Sequence, residues 1–244
     1  MFKKFFMLFK IGRKLSSSGA ISSVYEIYNP PIIIKIIFFI IGFNLVRKKN
    51  NNNLSAGVKL RNALQEMGTT FIKLGQFLAT RPDIIGENIA KELEKLQDKL
   101  PPFDLFLAKN ILRKELGNEN FNQIKNITEP IAAASVAQVH FANIEISGKK
   151  KNVALKILRP DVEKIFNEEL DALMFLAYIV ESIIKKTRRL KLVEIVQLLR
   201  EITNIEMDLR FEAAAANELY ENTKNDVGFE VPKIYWNHTT KKIL

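Results

Sequence analysis

Val153-Ala154-Leu155-Lys156 is the stretch on which the reading of this 244-residue chain depends. The two-residue period of a β-strand puts Ala154 and Lys156 on one face and Val153, Leu155 and Ile157 on the other. An apolar face of that kind seats on a core. The opposite face pairs a small residue, which leaves room for a flat ring, with an ammonium long enough to reach a phosphate. Upstream stand Ala132-Ala133-Ala134-Ser135 and a second candidate strand, Gln138 to Ile146, with turn residues around Ser147-Gly148-Lys149. The pattern predicts a β-hairpin. A lone lysine on a strand serves equally well as a solvated edge residue, so its meaning rests on its surroundings.

Those surroundings are mostly helical. From Ser55, apolar residues at Leu60, Leu64, Met67, Phe71, Leu74 and Leu78 recur at steps of four and three, which predicts one amphipathic helix running to Arg81-Pro82. A second helix is expected from about Gly86 to Leu100, closed by Pro101-Pro102, and a third from Phe103 to Leu116. Long helices return from Asp161 to about Leu190 and from Lys191 to Asn222. The tail reads as two strands, Lys233 to Trp236 and Lys241 onward, joined by Asn237-His238-Thr239.

Two segments at the start have a different character. Met1 to Lys14 interleaves Lys3, Lys4, Lys10, Arg13 and Lys14 with Phe2, Phe5, Phe6, Leu8, Phe9 and Ile11, the composition of a basic amphipathic helix that lies on an anionic membrane surface. It lacks the cleavage pattern of a signal peptide. Ile32 to Val46 is apolar but interrupted by Lys35 and Asn44, short of the roughly 20 apolar residues of a spanning helix. It reads as an interfacial helix or as an ordinary core helix, followed by Arg47-Lys48-Lys49.

Composition narrows the classes. Apolar residues at 47% and charged residues at 26% are those of a folded protein rather than a disordered one. With no cysteine, disulfides and thiolate metal sites are excluded, and with only His140 and His238 as imidazoles a structural zinc is not expected. His140 reads as a structural strand residue. The net charge of +10 favours phosphate-bearing partners, yet no nucleic-acid recognition motif is present, so no nucleic-acid partner is expected.

Two polar constellations remain. Lys73 and Gln76, within Lys73-Leu74-Gly75-Gln76, stand about 60° apart on a helix, away from the leucine stripe. Near the end of the long helix come Glu206-Met207-Asp208 and, four residues after Asp208, Glu212. Carboxylates at that spacing share a helix face at a small cost, tolerable where each meets its own cation, with Lys156 and Lys73 as candidates. Solvated polar faces account for either set on spacing alone.

Together these stretches resemble the ABC1/ADCK/UbiB family of atypical kinase-like ATPases. Lys73-Leu74-Gly75-Gln76 is similar to its KxGQ signature, Ala132 to Ser135 to its alanine-rich nucleotide loop, and Val153 to Lys156 to its VAVK strand, with Arg159-Pro160 following. Glu206-Met207-Asp208 resembles the ExD motif, and Glu212-Ala213 through Asn217-Glu218 the EAxNxE motif. The likeness runs from about Val58 to Leu244.

The resemblance implies an α+β fold: a KxGQ-type helical extension packed on a protein-kinase-like N-terminal lobe with a small antiparallel sheet. It divides the chain into a basic membrane-proximal segment (1–53), the extension (54–128) and the lobe (129–244). It implies ATP or ADP with Mg2+ as cofactor. Lys156 would contact the α- and β-phosphates and pair with Glu212, Ala132, Ala133, Ala134 and Ser135 would cover the phosphates, and Ala154 would lie against adenine. Alanine in place of glycine restricts that loop's backbone and, in the family, goes with suppressed protein phosphorylation. Lys73 and Gln76 would belong to the extension, with Lys73 near Glu206 and Asp208.

The implied role is support of ubiquinone biosynthesis, peripheral at the cytoplasmic face of the bacterial inner membrane, with lipid intermediates or ubiquinone-pathway proteins as partners. Family members continue into a C-terminal lobe with an HxDxHxGN-like loop and a DFG motif. Neither occurs in these 244 residues, so no metal ligand is assigned. The chain is expected to be an N-terminal half, inactive by itself and completed by a separately encoded lobe. The alternative is a catalytically inactive interaction or membrane-binding module.

Overall fold

The computed structural model describes residues 2–17, 32, 36, 54–96, 100–146, 148–183 and 185–244. The Ile32–Val46 stretch, apart from positions 32 and 36, lies outside the described residues, as do Arg47-Lys48-Lys49 and Ser147.

The first helix, α1, spans Phe2–Ser17. The stripe from Leu60 to Leu78 is one apolar surface carried by two helices rather than one. α2 (Ala56–Met67) begins at Ser55, whose Oγ accepts the Val58 N–H, and it ends at Gly68. α3 (Thr69–Ala79) follows directly. Gly68 has φ +101° and ψ −166°, a backbone region closed to residues with a Cβ, and periodicity cannot report it. Pro82 occupies the first position of the short α4 (Pro82–Ile85), where its missing N–H costs nothing. α5 (Glu87–Leu93) is half the length expected from the sequence.

α6 covers Leu105–Asn122, capped by Asp104 Oδ1, which accepts from Phe106 N at 2.7 Å and Leu107 N at 3.4 Å. It outruns the expected end at Leu116 because a kink at Gly117 (φ 73°) lets a further turn resume. The strands are β1 (Ile124–Lys125), β2 (Pro130–Ala133), β3 (Ala137–Ile146) and β4 (Lys149–Leu158). β3 pairs antiparallel with β4 along its whole length and with β2 and β1 toward its two ends. α7 (Val162–Ile183) follows, then a 3-10 turn at Lys185–Leu190. The helix expected from Lys191 to Asn222 is split by Met207-Asp208 into α8 (Leu192–Glu206) and α9 (Leu209–Thr223).

The tail departs most from expectation. Lys233 to Tyr235 form no strand, and Trp236–His238 is a 3-10 turn. From Lys241 the chain does run beside β4: Ile243 bridges Ile157, Lys156 exchanges two backbone hydrogen bonds with Leu244 (2.7 and 3.0 Å), and Leu158 N donates to Lys242 O at 3.0 Å.

The chain forms two units interleaved in sequence, 1–98 with 164–201 and 99–163 with 202–244. The helical unit buries Leu60, Leu64 and Met67 of α2, Phe71 of α3, Leu93 of α5, and Leu8 and Ile11 of α1, with Ala172 of α7 in the same cluster. Leu74 and Leu78 are partly buried against it. The second unit packs Ala108, Leu112 and Leu116 of α6 against Ala142, Leu155, Ile157 and Ile243. Among the described residues, no helix is long and apolar enough to cross a membrane.

Candidate functional site

Strand register decides which side chains share a surface. Ala132 is paired with Val139, and Val139 with Lys156, while Phe141 is paired with Ala154. Residues directly opposite one another project to the same side of a sheet. Ala132, Val139, Phe141, Ala154 and Lys156 therefore line one face, and the alternation that exposes Ala154 also buries Leu155 and Ile157 on the other. The far face carries Gln138, His140, Ala142 and Ile144, all buried.

Lys156 Nζ meets the Glu212 carboxylate with both oxygens, at 2.7 and 2.6 Å. The helix that delivers Glu212 starts where it does for identifiable reasons. Asp208 is the N-cap of α9, accepting the Arg210 N–H at 3.1 Å, and Leu209 N is tied to Lys241 O. Glu212 then falls in the first turn, where the helix dipole favours negative charge. Leu209 and Ala213 bury the inward side of that turn.

Asp208 does not share a helical face with Glu212, because it lies outside α9. Its cation is Arg210, whose Nε and Nη2 bind the two carboxylate oxygens at 2.8 and 2.6 Å. Those hydrogen bonds, foremost among the causes, hold the Asp208 carboxyl below the ordinary carboxylate range. Glu206 is the last residue of α8 and half-buried.

In the helical unit, Lys73 and Gln76 are half-buried on α3. Gln76 Nε2 approaches Leu96 O at 3.5 Å. Gly75 between them is buried, and a Cβ there would collide with Leu96 Cδ1 and lie 2.9 Å from Leu64 Cδ1. The glycine of this tetrapeptide is thus a close-approach residue of the helical core.

The alanine run is less loop than strand. Ala132 and Ala133 belong to β2, and Ala134 N donates to Ala137 O at 2.8 Å, leaving Ser135 and Val136 as the hairpin tip. Ser135 is fully buried. The sequence signals little of the network behind this tip. Arg159 donates from Nε to Ala134 O (2.9 Å), from Nη1 to Pro101 O (2.9 Å) and from Nη2 to Leu100 O (3.3 Å), while its backbone N–H reaches Val136 O (2.9 Å). Gln138 pairs with the Phe103 backbone in both directions, at 2.9 and 3.1 Å. His140 Nδ1 donates to the Thr128 carbonyl at 2.8 Å, which leaves Nε2 to accept from Gln138 Nε2 at 2.9 Å. A side-chain fork directly after the strand, at Arg159-Pro160, was the one available hint.

Residues 95–244 match the family described as the ABC1 atypical kinase-like domain. The chain belongs to this family. It is 37% identical over 217 residues to the "Probable protein kinase UbiB" of Marinobacter nauticus, an alignment covering 88% of this chain and 38% of the relative. It is 39% identical over 194 residues to the protein of the same name from Pseudomonas fluorescens (78% and 35%), and 38% over 188 residues to that from Vibrio atlanticus (77% and 34%). The chain spans little more than a third of the length of these relatives. Within the ABC1 family, the helices and small antiparallel sheet described above are those of a kinase-like N-terminal lobe with its helical extension.

Lys156 and the small residues of its face suit the phosphates and ring of a nucleotide. For the magnesium that accompanies such a nucleotide, no group of three or more His, Asp or Glu side chains among the described residues could hold the ion.

Proposed function

We propose that this chain supplies the nucleotide-holding lobe of a UbiB-type atypical kinase or ATPase acting in ubiquinone biosynthesis. The observation that carries the reading is the two-oxygen Lys156–Glu212 ion pair, set in a cross-strand row with Ala132 and Val139. In this reading Glu212 holds the lysine extended, the ammonium meets the α- and β-phosphates of ATP or ADP, and Ala132 and Ala154 leave the face low enough for the base. Metal-dependent steps belong to residues outside this constellation, in the remainder of a longer protein or in a separately encoded lobe.

Titration with a fluorescent N-methylanthraniloyl-ADP tests the site. Lys156→Ala is expected to weaken binding at least about tenfold, as loss of a charge-assisted phosphate contact should. The pair is partly solvated, with side-chain exposures of 30% and 51%, so its removal should change fold stability by no more than about 1 kcal/mol. Equal binding by both proteins would sink the reading. For the biological role, a strain lacking this gene should lose ubiquinone and regain it with the wild-type gene but not with Lys156→Ala.

A second reading, a peripheral contact with the cytoplasmic leaflet of the membrane, has an observation of its own. While Leu8 and Ile11 of α1 are buried, Phe6, Phe9, Lys10 and Arg13 are exposed. At 100° per residue these four fall within about 100° of one another on the helix. Aromatic rings interleaved with cations on an open face suit an anionic lipid surface. Flotation with phosphatidylglycerol vesicles should fall sharply in a Phe6→Ser, Phe9→Ser double variant, and unchanged flotation would count against the contact.

A further inference from the structure

The tip of the β2–β3 hairpin has an unusual construction. Two-residue hairpin tips are commonly closed by turns with positive φ, which match the twist of the strands. None of Ala134, Ser135, Val136 and Ala137 has positive φ, and alanine methyls disfavour that region. A tip with ordinary φ values tends to splay its strands and needs holding from outside.

Arg159 provides that hold. The Ala134 carbonyl, which in a closed turn would accept from the residue three along, accepts Arg159 Nε at 2.9 Å. The Val136 carbonyl accepts the backbone N–H of the same residue at 2.9 Å. The other arms of the guanidinium reach Leu100 O and Pro101 O, and its carbon stands 6.0 Å from the Phe103 ring centre. Phe103 is itself locked to Gln138 of β3. The tip is thus tied through one side chain to the 100–103 segment, and β3 is tied to the same segment independently. A planar fork is suited to such a task because its donors are fixed relative to one another, whereas an ammonium acts from a single point.

We propose that Arg159 is a positioning residue for nucleotide: it fixes the tip that follows the alanine run in one conformation, so that the ligand meets a preformed surface rather than a mobile flap. This rests on the nucleotide reading above. A preformed surface spares the ordering cost that binding would otherwise carry. Arg159 touches backbone carbonyls on this account, and its effect on nucleotide is transmitted through the tip.

The test compares the wild-type 244-residue chain with Arg159→Gln and Arg159→Lys, by amide hydrogen exchange over residues 132–138 and by titration with N-methylanthraniloyl-ADP. Both variants are expected to exchange at these amides about tenfold faster and to bind the probe about five- to tenfold more weakly. Faster exchange with unchanged affinity would reduce Arg159 to a structural tie and overturn the proposal. So would unchanged exchange in both variants. Full recovery of affinity in Arg159→Lys would overturn it as well, by showing that charge rather than the fork matters. Should Arg159→Gln fail to fold, the lysine variant carries the same comparison. Failure of the wild type to bind any probe would instead sink the nucleotide reading itself, and this proposal with it.

Discussion

Asp208 shows how a residue read as part of a chemical motif can also hold a secondary-structure boundary. Its carboxylate caps α9 and grips Arg210, and α9 is the helix that presents Glu212 to Lys156. Asp208→Ala removes both interactions and should cost about 1 kcal/mol or more, the ordinary value of an N-cap. Asp208→Asn keeps a good cap and removes only the charge, so it should cost less. The two proteins should also differ in pH dependence. Because the native carboxyl titrates below the ordinary aspartate value of about 3.9, the unfolded chain binds the proton first as pH falls. The stability contributed by the charge is present above that value and is lost as pH drops through the lower native one. Thermal melts should show the wild type's advantage over Asp208→Asn at pH 7 shrinking toward zero in acid. A gap that stays constant with pH would refute the assignment. The face on which Lys156 stands is legible in the sequence because strand alternation is a local rule. The partner of Asp208 was not, because the break before α9 takes the residue off the helical face that its spacing from Glu212 suggested.

Helices and strands were legible where one periodicity governed them. The β3–β4 hairpin follows from alternation and the glycine turn, and the Leu60–Phe71 stripe is buried as its spacing requires. What the pattern could not report was where the backbone breaks. An apolar stripe continues across Gly68 although the helix does not, since α2 and α3 face the same core from two axes. Gly68→Ala should therefore destabilise the protein despite the better helix propensity of alanine. There is open space around a Cβ at this position, so the penalty is conformational, about 1–3 kcal/mol for a residue forced into that region. A fall of several degrees in the thermal midpoint is expected, and an unchanged or raised midpoint would mean that the helices can join. The tail failed for a related reason. Lys233 to Trp236 have the composition of a strand, but strand structure depends on a partner edge, and only the residues from Lys241 find one beside β4.

At the scale of the whole molecule, the linear order of motifs conceals an interleaving. Residues 164–201 leave the sheet-bearing unit, complete the helical unit and return at Ile202, so the strand bearing Lys156 and the helix bearing Glu212 come from opposite sides of a long excursion. Sequence order supplied the motifs, and only pairing across that excursion assembled them. On the proposed reading, this constellation holds a nucleotide and does not itself supply the groups for the chemical step. Phosphoryl transfer draws on a bound metal ion and on a carboxylate that orients the nucleophile, and neither an HxDxHxGN-like loop nor DFG occurs in these 244 residues. Binding and turnover should therefore separate. The purified 244-residue chain, supplied with ATP and Mg2+, should bind nucleotide in a Lys156-dependent manner while releasing phosphate no faster than buffer. Phosphate release above background that disappears in Lys156→Ala would contradict this directly, because it would place the catalytic carboxylates within these 244 residues.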